Sequence, residues 1–307
     1  MTDSYAAARP VLRQDLEILR IAAAFGIVLL HSGHDTWEIG YGGLVVFLIL
    51  SSYFATAHAK PGATFGQILS KRASRLLAPW AVWMVLYGAR NHFFADRNIL
   101  ETDRGWINGV LAGTQIHLWY LPYMFVATVG LDLVVPRVSK KLLGWAAGLG
   151  AIAVLASATL WRPWAELHGY PTVQYCHAVA GVLIGILFGC RFQIKPSDFW
   201  SLLLAVFAAI GLTLARHVGG VAVPYLTGTV LCSAVLIRPL HLPPRLDVRS
   251  VSECMFGVYL GHIFFDRIYN ITPGLPGLWQ APLTFVSSLA VIWLFRRTLP
   301  RVARWAT

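Results

Sequence analysis

Arg20 and His31 are the two residues whose chemistry and spacing first suggest a reaction centre. They lie eleven positions apart in a mostly apolar stretch. At 100° per residue, a helix returns the second side chain to within about 20° of the first, some 16 Å further along the axis. An imidazole titrates near neutrality and can move a proton, and a guanidinium holds anions through a planar fork. Both are costly inside an apolar element, which marks them as functional candidates. Asp35, one helical turn beyond His31, is placed to orient the ring or stabilise its cation; a solvated loop acid is the alternative. A second basic group, Lys71, Arg72 and Arg75, stands at the head of the third apolar segment. Its forks suit phosphate, although anchors to anionic lipid use the same residues.

Further along the chain are His117, Trp119 and Tyr123, and then His262 with Asp266 four residues on. The aromatics read either as an interfacial belt or as a surface for stacking a sugar. His262 and Asp266 read as a polar pair or as helix-packing hydrogen bonds.

The elements that position these residues follow from composition. Apolar residues make up 57% of the 307, charged residues only 13%, and mean hydropathy is +0.61. So few charges cannot cover a water-facing surface, which excludes a soluble enzyme, a disordered tail and a disulfide scaffold. The net charge of +11 comes in short clusters between apolar runs rather than along one stripe, so nucleic acid is not expected as a partner. Cys176, Cys190, Cys232 and Cys254 form no CxxC pair, and neither a disulfide framework nor a zinc site is inferred.

Ten apolar segments predict ten membrane-spanning helices in a single all-α, polytopic bundle over residues 1–307: 16–35, 40–58, 76–95, 116–135, 142–160, 175–190, 199–215, 222–238, 251–271 and 281–297. With the N-terminus in the cytoplasm, 19 of the 25 Lys and Arg residues fall on the inner side. The other six are Arg90, Arg97, Arg104, Arg162, Arg216 and Arg267. This asymmetry predicts that both termini are cytoplasmic. The first segment could instead be a signal peptide, but Asp15 and Glu17 stand where such a peptide is basic. The polar connection at about 96–115 reads as a lid or a plain loop.

These residues carry a resemblance. Asp15 through Arg20, followed by Leu29, Leu30 and His31, resembles the opening of the membrane acyltransferase 3 family, whose hallmark is a basic residue, ten intervening residues and a His. Arg72 and Arg75 match its Arg-x-x-Arg. Gly42, Gly43 and the run to Ser51 and Ser52 are similar to its glycine-led second helix. The stretches His117-Leu-Trp119-Tyr-Leu-Pro122 and Tyr259-Leu-Gly-His262 look like its later signatures. Two departures stand out: Ser52 where the family often has Gly, and Val45 or Val46 where it has an acid. No hydrolase-like domain is expected after the tenth segment, unlike in some larger members.

The resemblance implies transfer of an acyl group, usually acetyl from cytoplasmic acetyl-CoA, to a hydroxyl of an extracytoplasmic glycan or other surface molecule at the bacterial inner membrane. Acetyl-CoA is then a co-substrate, with no permanently bound cofactor. Its phosphates would meet Arg20, Lys71, Arg72 and Arg75, and His31 would act as general base, or as an acyl carrier. His117, Trp119, Tyr123 and His262 become candidate acceptor contacts. The alternative from another class is a transporter of a glycan or lipid-linked intermediate. Many transporters carry repeated halves, and none is visible here.

Overall fold

A computed structural model describes residues 13–32, 37–94, 99–100, 105–240, 243, 248–270 and 277–307. Among these the chain is helical, without strands. The helices in chain order are α1 (Gln14–His31), α2 (Trp37–Ala57), α3 (Phe65–Arg72), α4 (Ala78–Phe94), α5 (Trp106–Ala112), α6 (Tyr120–Val134), α7 (Lys140–Ala156) and α8 (Ala158–His168). They continue with α9 (Thr172–Gly189), α10 (Pro196–Ala215), α11 (Ala222–Ile237), α12 (Arg249–Ser252), α13 (Met255–Asn270), α14 (Gly277–Thr298) and α15 (Pro300–Ala306).

A helix occupies each of the ten apolar segments. By length and composition four stretches can cross a membrane: Trp37–Ala57, Ile116–Val134, Thr172–Gly189 and Pro196–Ala215. The pair α7 and α8, bent by 73°, makes a fifth. The others fall short for identifiable reasons. The apolar helix α11 has only 16 residues, and α13 is equally short and carries Asp266 and Arg267. α1 holds Asp15, Glu17 and Arg20 within its 18 residues. About 20 apolar residues cover the hydrocarbon core without help from neighbours. Val85, Val126, Leu204 and Val286 are well exposed, as side chains against lipid would be.

The helix α2 is the axis of the bundle, packed against α1, α6, α9 and α11. Glycine makes the closest approaches possible. A Cβ on Gly43 would lie 2.3 Å from the Ala23 carbonyl oxygen of α1, and one on Gly185 would lie 2.4 Å from that of Ile49. Small residues let helix backbones touch where lipid supplies no hydrophobic drive. Two apolar clusters result, one on α2, α7, α9, α10 and α11, the other on α1, α2, α4, α6, α13 and α14.

The base of α1 is tied down by charge. Arg13 donates to both oxygens of Asp15, at 3.1 and 2.6 Å, and to the Val235 carbonyl at 2.7 Å; the Leu240 N–H donates to Asp15 at 3.0 Å. Burial pushes the Asp15 carboxyl up, but these hydrogen bonds and the Arg13 charge outweigh it and hold the group below its usual range. Arg191 donates to the Leu236 carbonyl. Two guanidiniums thus sit on the last carbonyls of α11, where a helix carries its negative pole.

Candidate active site

The predicted stripe on α1 forms as one unbroken helix, with Arg20 in its second turn and His31 as its last residue. Arg20 lies 3.3 Å from Glu17, which in turn accepts a hydrogen bond from Ser252 of α12. The Arg20 side chain is 43% exposed, so its fork still faces open space.

That space is a cavity of about 1070 Å³, lined by Arg20, Lys71, Arg72 and Arg75 together. Its volume is at the upper end for small-molecule sites. Lys60, Arg296 and Arg304, which the motifs do not single out, also line it. The basic group is presented by a change of helix type: α3 ends at Arg72 and Ala73–Leu77 continues as a π-turn into α4. Such widened turns recur at functional sites.

The four cations are not equivalent. Asp132 of α6 binds Arg72 through two hydrogen bonds, Nε at 2.7 Å and Nη2 at 2.8 Å, with both side chains largely buried. The fork expected to take phosphate is therefore already occupied by a carboxylate. Among the described residues, Lys71 and Arg75 have no ion-pair partner.

The cavity is charged near the exposed Lys71 and apolar-aromatic at its buried end, where Leu44, Phe47, Tyr120, Met124 and Tyr259 close it. Ser51 and Tyr120 are hydrogen bonded there at 3.0 Å. His31 does not line the cavity. Tyr259 does line it, and its hydroxyl donates to the His117 carbonyl. Its ring centroid is 5.6 Å from that of His117 and 6.5 Å from that of His262.

Behind Tyr259 three imidazoles converge. Ring centroids are 5.1 Å apart for His31 and His262, 5.2 Å for His117 and His262, and 6.2 Å for His31 and His117. The two supporting rings have defined tautomers when neutral. His117 Nε2 lies 3.2 Å from the Leu260 carbonyl, and His262 Nδ1 lies 2.8 Å from the Tyr259 carbonyl. A carbonyl only accepts, so these nitrogens carry the protons, leaving His117 Nδ1 and His262 Nε2 as acceptors. Both are buried and unpartnered. Tyr87 also donates to the Leu260 carbonyl, at 2.8 Å, which fixes that edge of the site. Among the described residues no group of three ligating side chains has the geometry to hold a metal ion.

His262 and Asp266 do not pair. The acid receives hydrogen bonds from Asn270 and Gln280, each at 3.0 Å, while the ring turns back to its own helix. Asp35 lies outside the described residues. Trp119 and Tyr123 stack edge-on at 5.9 Å and both meet Tyr175 of α9, at 6.0 and 5.2 Å. They are packed into the bundle, with Trp119 only 4% exposed, rather than spread at a lipid boundary.

A family model described as an acyltransferase domain matches residues 13–297, a stretch that includes Arg20, His31, Lys71, Arg72, Arg75, His117 and His262. No curated protein and no solved structure matches the chain.

Proposed function

The chain belongs to the acyltransferase 3 family, and from that premise we propose that it moves an acyl group, in first place acetyl, from cytoplasmic acyl-CoA to a hydroxyl of an extracytoplasmic glycan or other surface molecule. In this reading the ten helical segments span the bacterial inner membrane, with both termini in the cytoplasm. The observation that carries the reading is the one cavity that Arg20, Lys71, Arg72 and Arg75 all line, with Tyr259 on its wall and beside His117 and His262.

The coenzyme brings a pyrophosphate and a 3′-phosphate. Lys71, Arg75 and the exposed face of Arg20 meet them at the mouth, while Arg72, held by Asp132, stiffens that wall. The thin pantetheine arm runs toward Tyr120 and Tyr259, along the roughly 16 Å that separates Arg20 from His31 on α1. Displacement of the Tyr259 ring admits the thioester to the imidazoles. His31 takes the proton of the acceptor hydroxyl as its oxygen attacks the thioester carbon. The C–O bond forms, the C–S bond breaks, and the coenzyme thiolate leaves and is protonated. Such proton transfer contributes about 10²- to 10⁴-fold. The acceptor nitrogens of His117 and His262 offer hydrogen bonds to hydroxyls of the incoming molecule.

Titration of the purified chain in lipid nanodiscs with acetyl-CoA tests the donor half. We expect saturable binding, weakened about tenfold or more by Lys71→Ala and Arg75→Ala, as loss of one charge-assisted contact predicts. Absence of coenzyme binding by the wild type would refute the reading.

A further inference from the structure

The end of the bundle at which α1 terminates holds a second polar cluster that the reaction outlined above leaves unused. His177 of α9 is fully buried, and neither ring nitrogen has a hydrogen-bond partner. Its ring is stacked on Tyr41 of α2 at 4.5 Å and 12°, with the Tyr225 ring of α11 5.0 Å away. The Tyr225 hydroxyl donates to the His177 carbonyl and accepts the Gly181 N–H at 3.0 Å. Those are the two backbone groups that one helical turn would join, so α11 grips α9 at this residue. The imidazole is thus held by backbone and by stacking while its nitrogens stay unbonded.

Two neighbours share this property: Gln174 Oε1, three residues earlier on the same helix, and Nη1 of Arg162 on α8 are buried without partners. Arg162 uses Nε on Glu166 at 2.7 Å, and that acid is 55% exposed. The guanidinium lies beside Gly220, where a Cβ would fall 3.2 Å from it and 3.6 Å from the Trp37 ring. Trp37 and Tyr41 are neighbours at 6.5 Å, so Arg162, Trp37, Tyr41 and His177 form one contiguous group. A merely packed histidine satisfies at least one nitrogen, because buried polar groups are bonded in the great majority of cases. Unbonded polar atoms on Arg162, Gln174 and His177 are what a site for a polar ligand presents.

We propose that this cluster is an acceptor subsite for an acidic sugar: Arg162 holds the carboxylate, and His177 and Gln174 hold ring hydroxyls. The sugar ring lies against Trp37, which is 40% exposed and stands beside Arg162 at Gly220. A guanidinium selects a carboxylate by paired, charge-assisted hydrogen bonds, and aromatic faces suit the apolar face of a sugar. The assignment rests on the acyltransferase reading and names the chemistry of its acceptor.

The test uses the full chain in nanodiscs and two probes of equal length, an oligogalacturonate and a neutral galactose oligosaccharide, with acetyl-CoA binding measured in the same preparation. The wild type is expected to bind the acidic oligomer about tenfold more tightly than the neutral one, as one carboxylate contact predicts. Arg162→Gln should abolish that preference. His177→Leu should weaken both sugars, and His177→Gln, which keeps hydrogen-bonding atoms, should retain part of the affinity. Unchanged acetyl-CoA binding by each variant certifies its fold. Equal affinity of the wild type for both sugars, no binding of either, or a preference surviving Arg162→Gln would overturn the proposal. Loss of coenzyme binding by the wild type is a separate result, and it overturns the donor reading instead.

Discussion

His31, the last residue of α1, and His262, deep in α13, face each other with ring centroids 5.1 Å apart. Helices from opposite ends of the chain thus build one imidazole cluster, and α2 packs against α1 through its glycine contact. Tyr259 lines the charged cavity and bonds the His117 carbonyl, and in the proposed mechanism it is the partition between the two.

Removal of that partition has a specific consequence. Tyr259→Ala deletes the ring and its hydrogen bond to the His117 carbonyl, so water reaches the thioester. Purified Tyr259→Ala should hydrolyse acetyl-CoA without an acceptor faster than the wild type, measured as thiol release. An unchanged rate would show that Tyr259 is no barrier.

The pair formed by Arg72 and Asp132 predicts a split between stability and binding. Asp132→Asn should lower stability by about 1.5–3 kcal/mol, the usual worth of a hydrogen bond to a charged group. Freed from its carboxylate, Arg72 can turn to phosphate, so acetyl-CoA affinity should hold or rise. Thermal unfolding and coenzyme titration of the same sample read both. A fall in affinity larger than that of Arg75→Ala would contradict the structural role given to the pair.

Gly43→Ala tests how α1 is positioned. The added methyl group would meet the Ala23 carbonyl oxygen at 2.3 Å, and overpacking of this kind costs about 1–3 kcal/mol. A lower melting temperature and reduced transfer are expected, because the whole stripe from Arg20 to His31 must shift. Unaltered melting and activity would mean that the helices separate without cost.

The sequence reveals much of this arrangement, for physical reasons that differ between residues. Helical periodicity alone puts Arg20 and His31 on one face, and apolar length places the helices near their observed positions. The convergence of His117 and His262 on His31 is a tertiary fact that no local period encodes, and the family resemblance only brings those residues forward as candidates. Asp132 carried a readable signal, a lone acid in an apolar segment, but its pairing with Arg72 could not be read from spacing. Arg296 and Arg304 look like ordinary inner-side anchors until α14 and α15 fold back to the cavity. His177 gave the same signal as His31, an ionisable residue within an apolar run, without a motif to draw attention to it.

Mass spectrometry of surface glycans is the most direct test of the central claim, that His31 accepts the proton when an acyl group passes to a hydroxyl. Cells making the wild-type chain should carry an acyl mass increment that disappears with His31→Ala, while the variant still inserts in the membrane and binds acetyl-CoA. A full increment on glycans from His31→Ala cells would contradict the account.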